Sequence, residues 1–165
     1  MREADAMVFA FKRHGDQKYG ELPYRFHLEA VVAVLKDFGN FDDVVLSAAW
    51  LHDVLEDTPT TYAELYEVFG LQIAMLVELV TDRSGKNRAE RHARTYPGIA
   101  LDPKAITLKL ADRIANVRQC VAVGHHSLLG MYRREYPDFK SALQRNYHRA
   151  LWSELDLILG GRDES

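Results

Sequence analysis

The stretch Val44 to Asp57, VVLSAAWLHDVLED, constrains the fold more than any other. It is apolar nearly all round, and a helix of that kind has to be covered on every side. Only other helices or a sheet supply such cover. The rest of the chain offers helices: apolar residues recur at helical spacing almost throughout, and no alternating strand pattern is present. An all-α class in a single domain over residues 1–165 is expected. The same stretch carries the ionisable pair His52-Asp53, which is costly in an apolar helix unless paired or bound to a metal.

The punctuation places the elements. A first helix ends near His14-Gly15, and Tyr19-Gly20-Glu21-Leu22-Pro23 reads as a turn. A second helix runs from Phe26 to Phe38 and stops at Gly39-Asn40. Asp42 or Asp43 caps the central helix, which Pro59-Thr60-Thr61 breaks. Thr61 with Glu64 is the pattern of a capping box for a short helix, and Gly70 separates it from LQIAMLVELVTD. Ser84 to Pro97 is rich in Lys, Arg and His, the composition of a solvated helix and loop. Asp102-Pro103 starts a long helix that Gly124 ends. Helical stretches from Leu128 to Arg134 and Phe139 to Leu159 close the chain before Gly160-Gly161.

Composition excludes several classes. One cysteine, Cys120, rules out a disulfide scaffold and multi-cysteine zinc. No apolar run approaches the roughly 20 residues of a membrane span. The N-terminus carries acids at Glu3 and Asp5 and no cleavage signal, so a cytoplasmic protein without membrane attachment is expected. The formal charge is −3 and the pI about 6.2. Nucleic-acid-binding domains sit at pI above ~9, so no nucleic-acid partner is expected. Local basic clusters still suit a small phosphorylated ligand.

Four residues stand out as candidate metal ligands. They are His52, Asp53, His27 at the start of the preceding helix, and Asp112 within the apolar KLADRIANV. Two imidazoles and two carboxylates suit Mn2+, Fe2+ or Zn2+ with positions left for water. Each residue alone has an ordinary reading, such as Asp112 pairing with Lys109 or Arg113. The set is notable because Asp53 and Asp112 both interrupt strongly apolar helices.

In the order His27, His52-Asp53, Asp112, the chain resembles the HD-domain metal-dependent phosphohydrolases. The closer likeness is to the hydrolase domain of the RelA/SpoT proteins and to the small alarmone hydrolases. GELPYRFHLEAV, AAWLHDVLEDT, LVTD and KLADRIANVR carry it, from about His14 to Arg118. The resemblance implies an HD-domain helical bundle with His27, His52, Asp53 and Asp112 on a metal, manganese in these hydrolases. It implies Glu56 and Asp57 as the acidic pair that handles the attacking water. It implies that Asn116 touches the ligand, that Lys18, Lys86, Arg88 and Arg91 meet phosphates, and that Tyr132 lies against the nucleotide. Lys109 and Arg113 are weaker candidates of the same kind. The spacing agrees: His52 and Glu56, and Asp112 and Asn116, are each four residues apart and share a helix face. Acids at a helix C-terminus oppose its dipole, so Glu56 and Asp57 call for a positive partner.

The implied substrate is guanosine 3′,5′-bis(diphosphate), cleaved to GDP and pyrophosphate. HD domains that act on other nucleotides or on NADPH, and a non-catalytic nucleotide-binding module, are the alternatives. Two departures are visible. Leu28 stands where the family often has proline, and the segment from Gly20 to Pro23 is short. No synthetase domain is present, so no alarmone synthesis is expected. His14, His125-His126 and the oligomeric state receive no reading. Trp152, Tyr136 and Phe139 read as helix packing.

Overall fold

The computed structural model describes residues 2–39 and 41–160. Asn40 and the residues from Gly161 onward lie outside that range, while the expected helix stops at Gly39 and Gly160 fall within it and end α2 and α10. Helices α1 (Arg2–His14), α2 (Arg25–Phe38) and α3 (Asp43–Leu51) follow one another, with a small hairpin between the first two. A single turn, α4 (Val54–Asp57), leads to α5 (Tyr62–Phe69) and α6 (Leu71–Val80). Then come α7 (Arg88–Ile99), the long α8 (Pro103–Ala122), α9 (His126–Leu143) and α10 (Arg149–Leu159). The apolar faces of α2, α3, α6 and α8 meet in the middle, and α1 covers α3 from outside. Leu28, Leu51, Ile73, Leu108, Leu110 and Ile114 are fully buried there.

The caps follow from the residue types. Asp42 accepts the Val45 N–H at 3.0 Å, Asn87 the Glu90 N–H at 2.9 Å, and Asp102 the Lys104 N–H at 2.7 Å. Thr61 caps α5 through the Glu64 N–H. The Glu64 carboxylate pairs with Arg13 of α1. Gly70, at φ +85°, ends α5 in a conformation that favours glycine.

Four features differ from the sequence reading. The central helix is not continuous: α3 ends at Leu51, and Asp53 has φ −101° and ψ −2°, off the helical ladder. That sparsely allowed region often holds active-site residues. The turn at Tyr19 is a two-stranded antiparallel hairpin, β1 (Lys18–Tyr19) and β2 (Leu22–Pro23), pairing Tyr19 with Leu22. Strands this short leave no alternation to read. The basic segment after Thr81 is not simply solvated, since α7 buries His92, Thr95, Tyr96 and Ile99. Finally, α9 runs unbroken through Pro137, and the interruption falls instead between Leu143 and Arg149, where His148 is at φ +61°.

Asp102 holds the start of α8, the helix that carries half the candidate site. Asp102→Ala is expected to cost about 1 kcal/mol by removing two capping bonds. A calorimetric melt should show a drop of roughly 2–4 °C. An unchanged melt would mean that the helix start is held by packing alone.

Candidate functional site

The break between α3 and α4 positions the site. On a continuous helix, neighbouring side chains diverge by about 100°. Here the turn swings Asp53 back, so that its Oδ2 lies 2.9 Å from Nε2 of His52. His27, one turn into α2, brings its Nε2 to 3.3 Å from Nε2 of His52 and 3.6 Å from Asp53 Oδ2. Asp112 of α8 completes the group, with Oδ1 at 3.3 Å from His27 Nε2 and 3.8 Å from His52 Nε2. Two helices, α2 and α8, and the turn between α3 and α4 thus bring four donor atoms together. Both imidazoles are buried, and both carboxylates are largely covered.

The donor set fits a divalent cation. Ligand atoms about 2.1 Å from an ion lie roughly 3 Å from their neighbours, the spacing found here. His52 Nδ1 donates to the Ala49 carbonyl at 2.8 Å, which fixes the tautomer and leaves Nε2 free to ligate. Tyr24 donates its hydroxyl to Asp53 Oδ2 at 2.5 Å. Asn116 donates to Asp112 Oδ1 at 2.7 Å and accepts from the Tyr19 hydroxyl at 2.7 Å. The Tyr19 ring stacks on His27, with centroids 4.8 Å apart. Each potential ligand is therefore oriented by a neighbour.

The electrostatics describe the same group in protons. Burial pushes the His27 imidazole down, but the hydrogen bonds and charges of Asp112 and Asp53 outweigh it and raise it to about 9. His52 is likewise lowered by burial, yet ends above its ordinary value because of Asp53. Burial pushes Asp53 up, while the charge of His52 and the hydrogen bonds of both imidazoles hold it well below the usual carboxylate range. Asp112 is lowered in the same way by His27 and Lys109, against burial. Without a cation, protons on the imidazoles offset the carboxylates.

Above the cluster is a polar cavity of about 160 Å³. Of the residues expected from sequence, His27, Asp53, Asp112, Glu56, Arg88, Asn116 and Tyr132 line it. His52 lies beneath, against its floor. Glu56 accepts the Asp82 N–H at 2.6 Å, and burial raises its pKa. Asp57 points elsewhere: its Oδ2 accepts from Gln17 at 2.8 Å. Lys18 and Lys86 are exposed and are not part of the cavity wall. Arg91 is not part of the wall either; its side chain is part-exposed, 3.9 Å from Asp82.

The wall also holds residues not singled out from sequence: Tyr19, Tyr24, Asp82 and His92. The His92 ring stacks on Tyr96, and burial with the Arg88 charge lowers it to about 4. Tyr19, Asn116 and Tyr132 also border a second, largely apolar cavity of about 620 Å³, walled by Leu22, Cys120, Val123 and Leu128. A ligand with an anionic end and a flat apolar end fits the pair.

A family model described as HD domain matches residues 6–133. Guanosine-3′,5′-bis(diphosphate) 3′-pyrophosphohydrolase of Aquifex aeolicus (strain VF5) is 44% identical over 120 residues, covering 68% of this chain and 17% of that protein. A Danio rerio protein of the same name, designated MESH1, is 37% identical over 119 residues, 69% of this chain and 66% of that one. The chain spans about a sixth of the length of the Aquifex relative and of a Synechocystis one. A solved structure of a metazoan ortholog of SpoT, described as hydrolysing ppGpp, superposes with a TM-score of 0.83 at 27% identity, over 98% of this chain and 96% of that one. A protein of Listeria monocytogenes EGD-e shares the fold, with a TM-score of 0.66 at 22% identity over 82% of this chain and 99% of that one.

Because His27 is protonated below about 9 in the metal-free protein, a cation has to displace that proton. Affinity for a divalent cation is expected to rise with pH across the neutral range, by about tenfold per unit where one proton is released, and to level off near 9. Isothermal titration at several pH values checks this, and a flat profile would contradict it. Tyr24→Phe removes a bond to Asp53 and is expected to weaken metal binding by about 10–100-fold.

Proposed function

The chain belongs to the HD-domain family, and on that footing we propose that it is a manganese-dependent hydrolase of guanosine 3′,5′-bis(diphosphate) that releases pyrophosphate from the 3′ position. The observation that carries this reading is the adjacency of the His27/His52/Asp53/Asp112 cluster to two cavities that share Tyr19, Asn116 and Tyr132 in their walls. One is polar and lined by Arg88, Arg113 and Lys109, and the other is apolar and large enough for a purine. The names of the Aquifex and Danio relatives supply the substrate. The four clustered residues are assigned as metal ligands, and residues 1–165 as one domain.

A divalent ion held by those ligands would polarise a phosphoryl oxygen and lower the pKa of water. The remaining steps fall to side chains. Glu56, at the cavity wall with a pKa raised by burial, takes up the proton of the attacking water. Asp57 is assigned a supporting place beside it, tied to Gln17. Arg88, Arg113 and Lys109 balance the phosphate charge, the main protein contribution to phosphoryl transfer. Lys18, Lys86 and Arg91 are assigned to the outer phosphates, which reach beyond the polar cavity. Asn116 and Tyr132 stand where sugar and base meet the phosphates, at the junction of the cavities.

The test is a panel of nucleotides, NADPH included, incubated with the Mn2+-loaded protein. Pyrophosphate and GDP from the tetraphosphate are the expected products. Orthophosphate from another nucleotide would overturn the substrate assignment while retaining the site. Glu56→Gln is expected to lower kcat by about 10²–10⁴-fold with metal binding retained. Near-normal kcat would remove Glu56 from the proton-handling role.

A further inference from the structure

Arg88 reaches the polar cavity from α7, and it does not stand alone. Its Nε donates to Oε1 of Glu135 on α9 at 2.6 Å. The other oxygen, Oε2, accepts from Nη1 of Arg113 on α8 at 3.2 Å. Arg113 is only 3% exposed, and its Nη2 donates to the Tyr96 hydroxyl at 3.3 Å. Both guanidinium groups lie over the Tyr132 ring, Arg88 at 5.5 Å and Arg113 at 4.8 Å from its centroid. One carboxylate therefore bridges two cations from two different helices.

The consequences follow from charge and shape. A buried guanidinium needs a partner, so the Glu135 charge is committed to Arg113. With the two arginines positive and Glu135 negative, the three side chains together keep one positive charge. A guanidinium carries five N–H groups in a rigid fork. Glu135 takes the one at Nε, and among the described residues no hydrogen bond engages the two terminal amino groups of Arg88. These are the atoms that make bidentate contacts to phosphate. An arginine held by its Nε and stacked on a tyrosine has already lost the freedom that binding would otherwise remove.

We propose that Glu135 is a positioning residue that presents the terminal amino groups of Arg88 to a phosphate or pyrophosphate group in the polar cavity. This rests on the phosphohydrolase reading for the anionic ligand, but not on which nucleotide is turned over. Glu135 acts through Arg88 and does not itself touch the anion. Its position in α9, on the turn after Tyr132, ties the anion site to the helix packed behind it.

The test uses inorganic pyrophosphate as the probe, with Mn2+ present and Kd measured by calorimetry. Three variants are compared with the wild type: Arg88→Ala, Glu135→Gln and the double variant. Each single change is expected to weaken binding by about tenfold. The double variant should be no weaker than Arg88→Ala alone, because Glu135 has nothing left to position. With the nucleotide substrate, the same loss should fall on KM more than on kcat. If Glu135→Gln does not fold, Glu135→Asp takes its place in the same cycle, keeping the carboxylate charge while shortening its reach to Arg88. Tighter pyrophosphate binding in Glu135→Gln would overturn the proposal, because the carboxylate would then be a competing anion. Losses that multiply in the double variant, or wild-type protein that does not bind pyrophosphate, would overturn it as well. Failure of the nucleotide panel with this cycle intact would reject the proposed substrate and leave the role of Glu135 standing.

Discussion

Two imidazoles whose Nε2 atoms lie 3.3 Å apart, with two carboxylates 2.9–3.8 Å from those atoms, inside a helical bundle, are the constraint on which the rest of the molecule is arranged. Ionised groups taken out of water cost several kcal/mol each unless they are compensated. Compensation beyond the cluster itself is built in at three members, while Nδ1 of His27 is buried without a hydrogen-bond partner among the described residues. Ala49 orients His52, Tyr24 bonds Asp53, and Asn116 bonds Asp112. The apolar helices around the cluster make the compensation necessary, and they also hold the geometry. A shift of α8 against α2 would separate Asp112 from His27. The close packing of those helices, through residues such as Leu28 and Ile114, is therefore part of the site.

The chain break at Asp53 shows how local structure serves that geometry. An uninterrupted helix would point His52 and Asp53 in different directions. The turn at His52 and Asp53, between α3 and α4, brings both side chains together, at the cost of a sparsely populated backbone conformation at Asp53. The turn that follows also separates Glu56 from Asp57. The first faces the cavity and the second faces Gln17. Adjacent carboxylates that look equivalent in sequence therefore stand in different surroundings, and burial raises the pKa of Glu56.

The sequence revealed whatever was anomalous in its own neighbourhood. His52, Asp53 and Asp112 stood out because apolar residues flank them, and His27 because it opens the preceding helix, with the family pattern joining all four. The supporting residues were hidden because their contacts span long stretches of chain. Tyr24 reaches Asp53 across 29 residues, Tyr19 reaches Asn116 across 97, and Arg88 reaches Glu135 across 47. A tyrosine in a turn reads as a turn residue until its partner is known. Glu135, in a charged stretch of α9, has the sequence signature of a solvated face. Helix positions were legible from caps and glycines, whereas the unbroken α9 was not. Pro137 suggested a break that the surrounding packing of Tyr136 and Phe139 overrides.

We assign the four clustered residues to one cation site that exists in the folded protein only. A ligand that binds the native state and not the unfolded one raises the melting temperature as its concentration rises. The direct measurement is a thermal melt of metal-free protein against increasing Mn2+, repeated with Asp112→Asn. The account predicts a midpoint that climbs steadily with the logarithm of Mn2+ concentration above Kd, and a much smaller rise in the variant. A midpoint indifferent to Mn2+, or one that climbs equally in both proteins, would contradict it.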